Sequence, residues 1–310
     1  MAVAQGSQTR LAYVLETTPG VIPATPKWQI LRYASETLNI DKQSVVPDEI
    51  RADRNVSDIV DVGRQITGSI NTLLSYGSFD DLFAALFCST WAANVLKNGV
   101  VEQTLAFEKT MSFGTPNGFI RYRGCRVNTL DLSLSAKQFV TANWGVMGIG
   151  SPTPTAAIIT GATYLAASTT PVLNAALNVG SLGMTGITSN PKIQSLTARI
   201  TNNIYANDVI GQYEPDSHGL GRFEVTGSMT VLFENLDLYN AILNHDDLAL
   251  SLTLGAAGGS KYTLQIPKLK GMNGGPVVGG NGRSVVIEMP YQAKFDPTSG
   301  ASMVLTRAVA

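Results

Sequence analysis

Apolar and polar positions alternate with a period of two through several stretches of this chain. Leu130, Leu132 and Leu134 alternate with Thr129, Asp131, Ser133 and Ser135. Leu196, Ala198 and Ile200 alternate with Ser195, Thr197, Arg199 and Thr201, and Ile66, Gly68, Ile70 and Thr72 with Thr67, Ser69, Asn71 and Leu73. Period two with one polar face predicts half-buried antiparallel strands. Val285–Met289 predicts another strand, ending at Pro290. One segment switches period: Phe79, Leu82, Phe83, Leu86 and Phe87 fall at i, i+3, i+4, i+7 and i+8, an apolar helical stripe that packs on a sheet. Ser78 is its expected N-cap, and Asp80 and Asp81 sit in the first turn, where the helix dipole favours them. Residues 1–30 hold Thr17-Thr18-Pro19-Gly20, Pro23 and Pro26, which predicts an extended arm. Residues 151–190 are Ala, Thr, Gly, Ser and Pro with almost no charge, the texture of a linker or insertion.

The pattern repeats. Gly63-Arg64 precedes Thr67-Gly68-Ser69-Ile70, and Gly221-Arg222 precedes Thr226-Gly227-Ser228-Met229. Each block leads into a helical segment, Ser78-Phe79-Asp80-Asp81-Leu82 in one and Asn235-Leu236-Asp237-Leu238-Tyr239 in the other. A strand and a long polar excursion precede each block. Thr37–Ile40 and Pro47–Arg54 come first in one half; Ala198–Ile204, Asn207-Asp208 and Glu214-Pro215-Asp216 come first in the other. Agreement in order, spacing and helix phase is the signature of an internal duplication. The expected organisation is an arm (1–30), a first β-domain (31–150), the low-charge insert (151–190) and a second β-domain (191–310). Two similar units in one chain can take equivalent places in a ring, so a trimer would present six. Open strand edges supply the contacts.

Composition narrows the function. The chain has 310 residues, enough for two cores; hydrophobic residues make up 44% and charged residues 15%, below the ~25% of ordinary soluble domains. A charge-poor chain suits surfaces hidden in contacts. The net charge is −1 with no basic stripe, which argues against tight nucleic-acid binding. No apolar run of about 18 residues is present, so no membrane-spanning helix is expected. Residues 1–10 lack a basic start followed by an apolar segment; without an export signal, Cys88 and Cys125 are expected to be reduced thiols.

Candidate chemistry is thin. His218 and His245 are read as loop residues, and His245-Asp246-Asp247 is a weak divalent-ion motif. Gly219-Leu220-Gly221 and Gly274–Gly280 lack the lysine or helix context of a phosphate cradle. Trp91 and Trp144 are expected in cores or interfaces, and the cysteines have no Cys-x-x-Cys or histidine partner. No residue is named as catalytic, cofactor-binding or metal-binding, so no enzyme and no cofactor is expected.

Leu11–Gly20, Leu31-Arg32-Tyr33, Asp48–Arg54, Phe79-Asp80-Asp81-Leu82, Ala84–Leu86 to Trp91 and Tyr122–Asn128 give the chain its family texture. In these it resembles the tail tube (major tail) proteins of long-tailed bacteriophages. The resemblance implies a mainly β fold, with two similar β-sandwich or half-barrel tube domains, each flanked by a short helix. It implies stacked rings of the protein itself forming a conduit for genome delivery, trimeric and pseudo-hexameric where the tube domain is duplicated. The arm and the excursion near 43–62 would reach neighbours. Partners would be the tape-measure, tail-tip and tail-terminator proteins, with DNA passing unbound through the lumen. The setting would be the tail of a siphophage virion, assembled in the host cytoplasm. Acidic residues are expected to outnumber basic ones on the lumen wall, since each Lys or Arg on phosphate retards sliding. The competing reading is a phage or bacterial β-sandwich adhesin.

Overall fold

A computed structural model describes residues 3–114, 116–255 and 259–308; the extreme ends of the expected arm and of the second domain, 1–2 and 309–310, lie outside the described residues. The chain begins with β1 (Arg10–Leu15), β2 (Lys27–Ile30), β3 (Ser35–Glu36), β4 (Asn39–Val45), β5 (Val60–Leu73) and α1 (Asp80–Phe87). There follow β6 (Val95–Lys97), β7 (Leu105–Ser112), β8 (Asn117–Ser135), β9 (Thr141–Gly148), β10 (Thr163–Leu165) and β11 (Val179–Thr185). The rest comprises β12 (Ile193–Thr201), β13 (Tyr205–Asn207), β14 (Ser217–Gly219), β15 (Glu224–Leu232), α2 (Asp237–Leu243), β16 (Leu248–Gly255), β17 (Lys261–Gly271), β18 (Pro276–Val277), β19 (Val286–Ala293) and β20 (Val304–Ala308). The chain is mainly β, and the alternating segments read from the sequence lie in β5, β8 and β12.

Seven strands run antiparallel in the order β4, β5, β9, β8, β12, β15, β19. Two smaller sets adjoin it: β10, β2, β1, β7 and the first half of β8, and β11, β16, β17, β20 and β6; β3 and β18 add to β5 and β19, and β13 and β14 form a separate pair. Strand β8 belongs to two layers because it bends at Gly124, whose φ of 62° is costly for any residue with a side chain. A Cβ there would lie 2.6 Å from Ile149 Cδ1.

The pairing scheme of the first half recurs in the second. Strands β4 and β5 pair as β12 and β15 do, and β5 with β9 as β15 with β19. Likewise β7 with β8 matches β16 with β17, and β1 with β7 matches β11 with β16. The Thr-Gly-Ser blocks are equivalent in detail. Ser69 N donates to Thr37 Oγ1 at 2.9 Å, and Ser228 N to Thr197 Oγ1 at 3.0 Å. The glycine between is forced by close approach: a Cβ on Gly68 would sit 2.6 Å from Thr37 O, and one on Gly227 2.1 Å from Thr197 O.

One hydrophobic cluster spans both halves, from Leu11 to Leu305. Helix α1 is buried on all sides from Leu82 to Phe87, where a single buried stripe was expected. It lies between layers, with Phe79 and Phe83 against Trp144 of the long sheet and Phe83 against Tyr262 of β17. Its N-cap is Phe79 rather than Ser78, whose hydroxyl instead meets Ser75 Oγ at 2.6 Å. In the second half Asn235 Oδ1 does accept from Asp237 N, at 3.0 Å.

Three further expectations are refined. Strand β19 continues through Pro290 because the missing N–H falls beside a one-residue shift in register, and Pro290 O still accepts from Met272 N at 2.9 Å. The N-terminal stretch is extended as read, but Arg10–Leu15 and Lys27–Ile30 are paired strands that bury Leu11, Ala12 and Trp28. The low-charge stretch 151–190 carries β10 and β11, each paired with a neighbour.

Because Leu86 is fully buried, Leu86→Ala should cost about 3 kcal/mol. Leu86→Asp should prevent folding by burying an unpaired charge. A soluble Leu86→Asp chain with a cooperative thermal transition would contradict the placement of α1.

Candidate functional site: the polar sheet face and the internal junction

The strand registers sort the seven-stranded sheet into two faces. Ile66, Ile70, Trp144, Leu130, Leu132, Ile200, Met229 and Met289 point inward and are buried. The opposite face is a wall of hydroxyls and amides: Thr67, Ser69, Asn71, Asn143, Thr129, Ser133, Thr197, Thr226, Ser228 and Gln292. Over the regular part of these ladders its charged residues are Asp41, Asp131, Glu224 and Glu288 against Arg199. Arg199 is itself 3.7 Å from Asp131. A face so poor in cations offers little to hold phosphate.

The two halves meet at the centre of that sheet. Strand β12 adds antiparallel to the second half of β8, from Thr201 opposite Thr129 to Ser195 opposite Ser135. Beyond the paired strands, Asn202 Nδ2 donates to Val127 O at 3.0 Å and to Leu86 O, at the end of α1, at 2.8 Å. The second polar excursion, residues 205–222, folds back on the first half. Arg64 N donates to Tyr213 O at 2.8 Å, the Arg64 guanidinium lies 5.5 Å from the Tyr213 ring centre, and Arg123 pairs with Glu214. These contacts escaped sequence reading, because nothing local in residues 205–222 marks Tyr213 and Glu214 as contact residues.

The histidines part company. His218 was read as a loop residue, but it lies on β14 and is buried, with neither ring nitrogen hydrogen-bonded among the described residues. Opposite it on β13 stands Ala206, whose side chain has no polar atom to offer. His245 does lie in a loop after α2, at φ 56°. Asp247 is engaged by lysines, 2.8 Å from Lys270 Nζ and 2.7 Å from Lys294 Nζ; hydrogen bonds from Lys270 first and Lys294 second hold its carboxyl down to about 2. Among the described residues no group of three or more His, Cys, Asp or Glu is placed to hold a metal ion.

Gly219 lies on β14, and residues 274–280 form an exposed or half-exposed stretch around β18. Trp144 is fully buried, while Trp91 is partly buried with Arg307 over its ring. Cys88 and Cys125 are buried free thiols, and burial raises both, Cys88 to about 11. Among the described residues no helix is long and apolar enough to cross a membrane.

Burial, followed by the nearby Arg126 charge, lowers the His218 pKa, with Asp208 opposing. The unfolded chain therefore binds a proton that the folded chain refuses as pH falls below about 6.5. Stability should drop from that pH downward, and His218→Phe should lessen the drop. Melting temperatures of both proteins between pH 7.5 and 5 check this; parallel curves would contradict it.

No curated protein matches the chain. A family profile described as "Phage tail tube protein" matches residues 6–295, nearly the whole sequence. A mainly β fold agrees with that match, and the chain belongs to the phage tail tube protein family, a structural component of the virion tail.

Proposed function

We propose that three copies of this chain close into a ring imitating a hexamer, and that such rings stack into the tail tube of a siphophage. In this reading the chain carries the tube domain twice, at 31–150 and 191–310, with the arm 1–30 and the insert 151–190 as additions. The observation that carries it is the recurrent pairing scheme, in which the second half joins the first strand to strand and leaves further edges of the same kind open. Such an arrangement extends head to tail and closes when the rotation per unit permits.

The polar face of the seven-stranded sheet is the natural channel wall. Its hydroxyls and amides stay hydrated, and its excess of carboxylates repels phosphate, so DNA passes without specific binding. The role is conduit for genome ejection rather than catalysis. Rings assemble in the host cytoplasm, and the ends of the stack meet the tail-tip and tail-terminator proteins, with the tape-measure protein inside.

Electron microscopy of the concentrated protein should show rings or hollow tubes with three-fold, near six-fold symmetry. A chain that stays monomeric even when seeded with tail-tip complexes would overturn the reading. For the channel wall, Ser133→Lys with Glu288→Lys should leave tube dimensions unchanged. The variant tubes should retain linear DNA at low salt and release it as salt rises. Equal DNA retention by wild-type and variant tubes would remove this face from the channel.

A further inference from the structure

Asparagine is a chemically labile residue, most so before glycine, whose missing side chain lets the following backbone nitrogen reach the amide carbon. The chain holds four such pairs: Asn98-Gly99, Asn117-Gly118, Asn273-Gly274 and Asn281-Gly282. The fold treats each of them differently.

At Asn98 both reacting groups are committed elsewhere. Gly99 N donates to Phe87 O at 2.9 Å, and Asn98 Oδ1 accepts from Ser302 N at 2.9 Å and from Met303 N at 3.4 Å. Asn117 and Gly118 lie in the β7–β8 ladder opposite Ser112 and Met111, where strand pairing fixes an extended backbone. Asn281 sits in an exposed turn outside every ladder, and its reacting groups meet only by chance.

Of the four, Asn273 is the one brought to reaction. Gly274 N donates to Asn273 Oδ1 at 2.8 Å, so the attacking nitrogen lies against the amide whose carbon is one bond from that oxygen. The segment is anchored on both sides. Met272 N donates to Pro290 O at 2.9 Å, and Pro276 and Val277 pair with Ile287 and Val286 of β19. Between these anchors Gly274 takes φ 144°, and a Cβ there would lie 2.8 Å from Glu288 O, so the position excludes any side chain that would crowd the nitrogen. Asn273 is exposed, open to water and hydroxide. Anchoring the two groups in contact replaces a search of backbone conformations by a near-attack arrangement.

We propose that Asn273 is a site of spontaneous modification by which this chain records its age. Gly274 N, its proton taken by hydroxide, attacks Asn273 Cγ. The bond from Cγ to the side-chain nitrogen breaks, ammonia leaves with a proton from water, which restores the hydroxide, and a cyclic succinimide remains. Water then adds to either ring carbonyl and opens it to aspartate or isoaspartate. Both products place a carboxylate where the chain has an amide, and isoaspartate also lengthens the main chain by one methylene between the two anchors. A protein of the virion tail is not resynthesised within the particle, so the product accumulates there. The inference rests on residues 272–277 and stands apart from the ring reading.

The test uses the folded full chain, incubated at mildly alkaline pH, digested with trypsin and mapped by tandem mass spectrometry against an unincubated digest. Cleavage after Lys270 and Arg283 leaves Asn273 and Asn281 in one peptide, so each serves as the other's internal standard. Asn273 should convert about tenfold faster than Asn281, to both aspartate and isoaspartate, with Asn98 and Asn117 intact over the same period. Conversion should quicken as pH rises, and in urea the four pairs should approach a common rate. Asn273→Gln, whose longer side chain would have to close a larger ring, should keep the wild-type melting temperature and show no conversion at that position. Conversion of Asn281 in the folded chain as fast as that of Asn273, or an order of rates unchanged by urea, would overturn the proposal.

Discussion

A strand edge is a row of backbone donors and acceptors that must be paired or hydrated, and this molecule is organised around one strand that satisfies that need in two layers at once. Strand β8 is 19 residues long and bends at Gly124. Its first half pairs with β7 in the smaller layer and its second half with β9 and β12 in the long sheet. The bend is held from outside as well: Glu16 accepts from Gly124 N at 2.9 Å and from Gly20 N at 2.8 Å, tying β1's exit loop to the corner. That corner carries one continuous strand from the smaller layer into the long sheet, and α1 fills the space between layers.

Much of this was legible in the amino-acid sequence where a strand has one wet face. The alternations at 66–73, 129–135 and 195–201 named three central strands of the sheet and their polar sides. The repeated Thr-Gly-Ser block was legible too, and its reason is now plain: the glycine admits the neighbouring backbone, and the serine N–H is taken by a threonine about 31 residues earlier. What stayed hidden were strands whose pattern carries no period. Strand β7 is buried from Leu105 to Thr110 although it includes Glu108 and Lys109, because Arg121 and Tyr164 engage Glu108 at 2.8 and 2.6 Å and Glu36 engages Lys109 at 2.7 Å. Buried ion pairs of this kind look like surface in a sequence. The junction was hidden for another reason: its partners lie about 65 residues apart, and pairing of that range leaves no local mark.

Corresponding positions of the two halves also differ in use. Asp80 and Asp237 open the two helices alike, yet the Asp80 carboxylate accepts from Tyr262 and Arg307 of the opposite half, while at Asp237 the backbone N–H donates to Asn235 Oδ1 of its own turn. Two halves of one chain can differ in this way because each position carries its own residue. Identical subunits cannot, since any change appears in every one of them.

Joining the halves covalently also changes how assembly scales with protein concentration. The contact between β8 and β12 forms when the chain folds, at an effective concentration fixed by the tether, and costs no encounter between molecules. In the proposed ring, half of all junctions are therefore complete before any two chains meet. Closure of that ring needs three chains to find one another rather than six, so it depends on a lower power of free chain concentration.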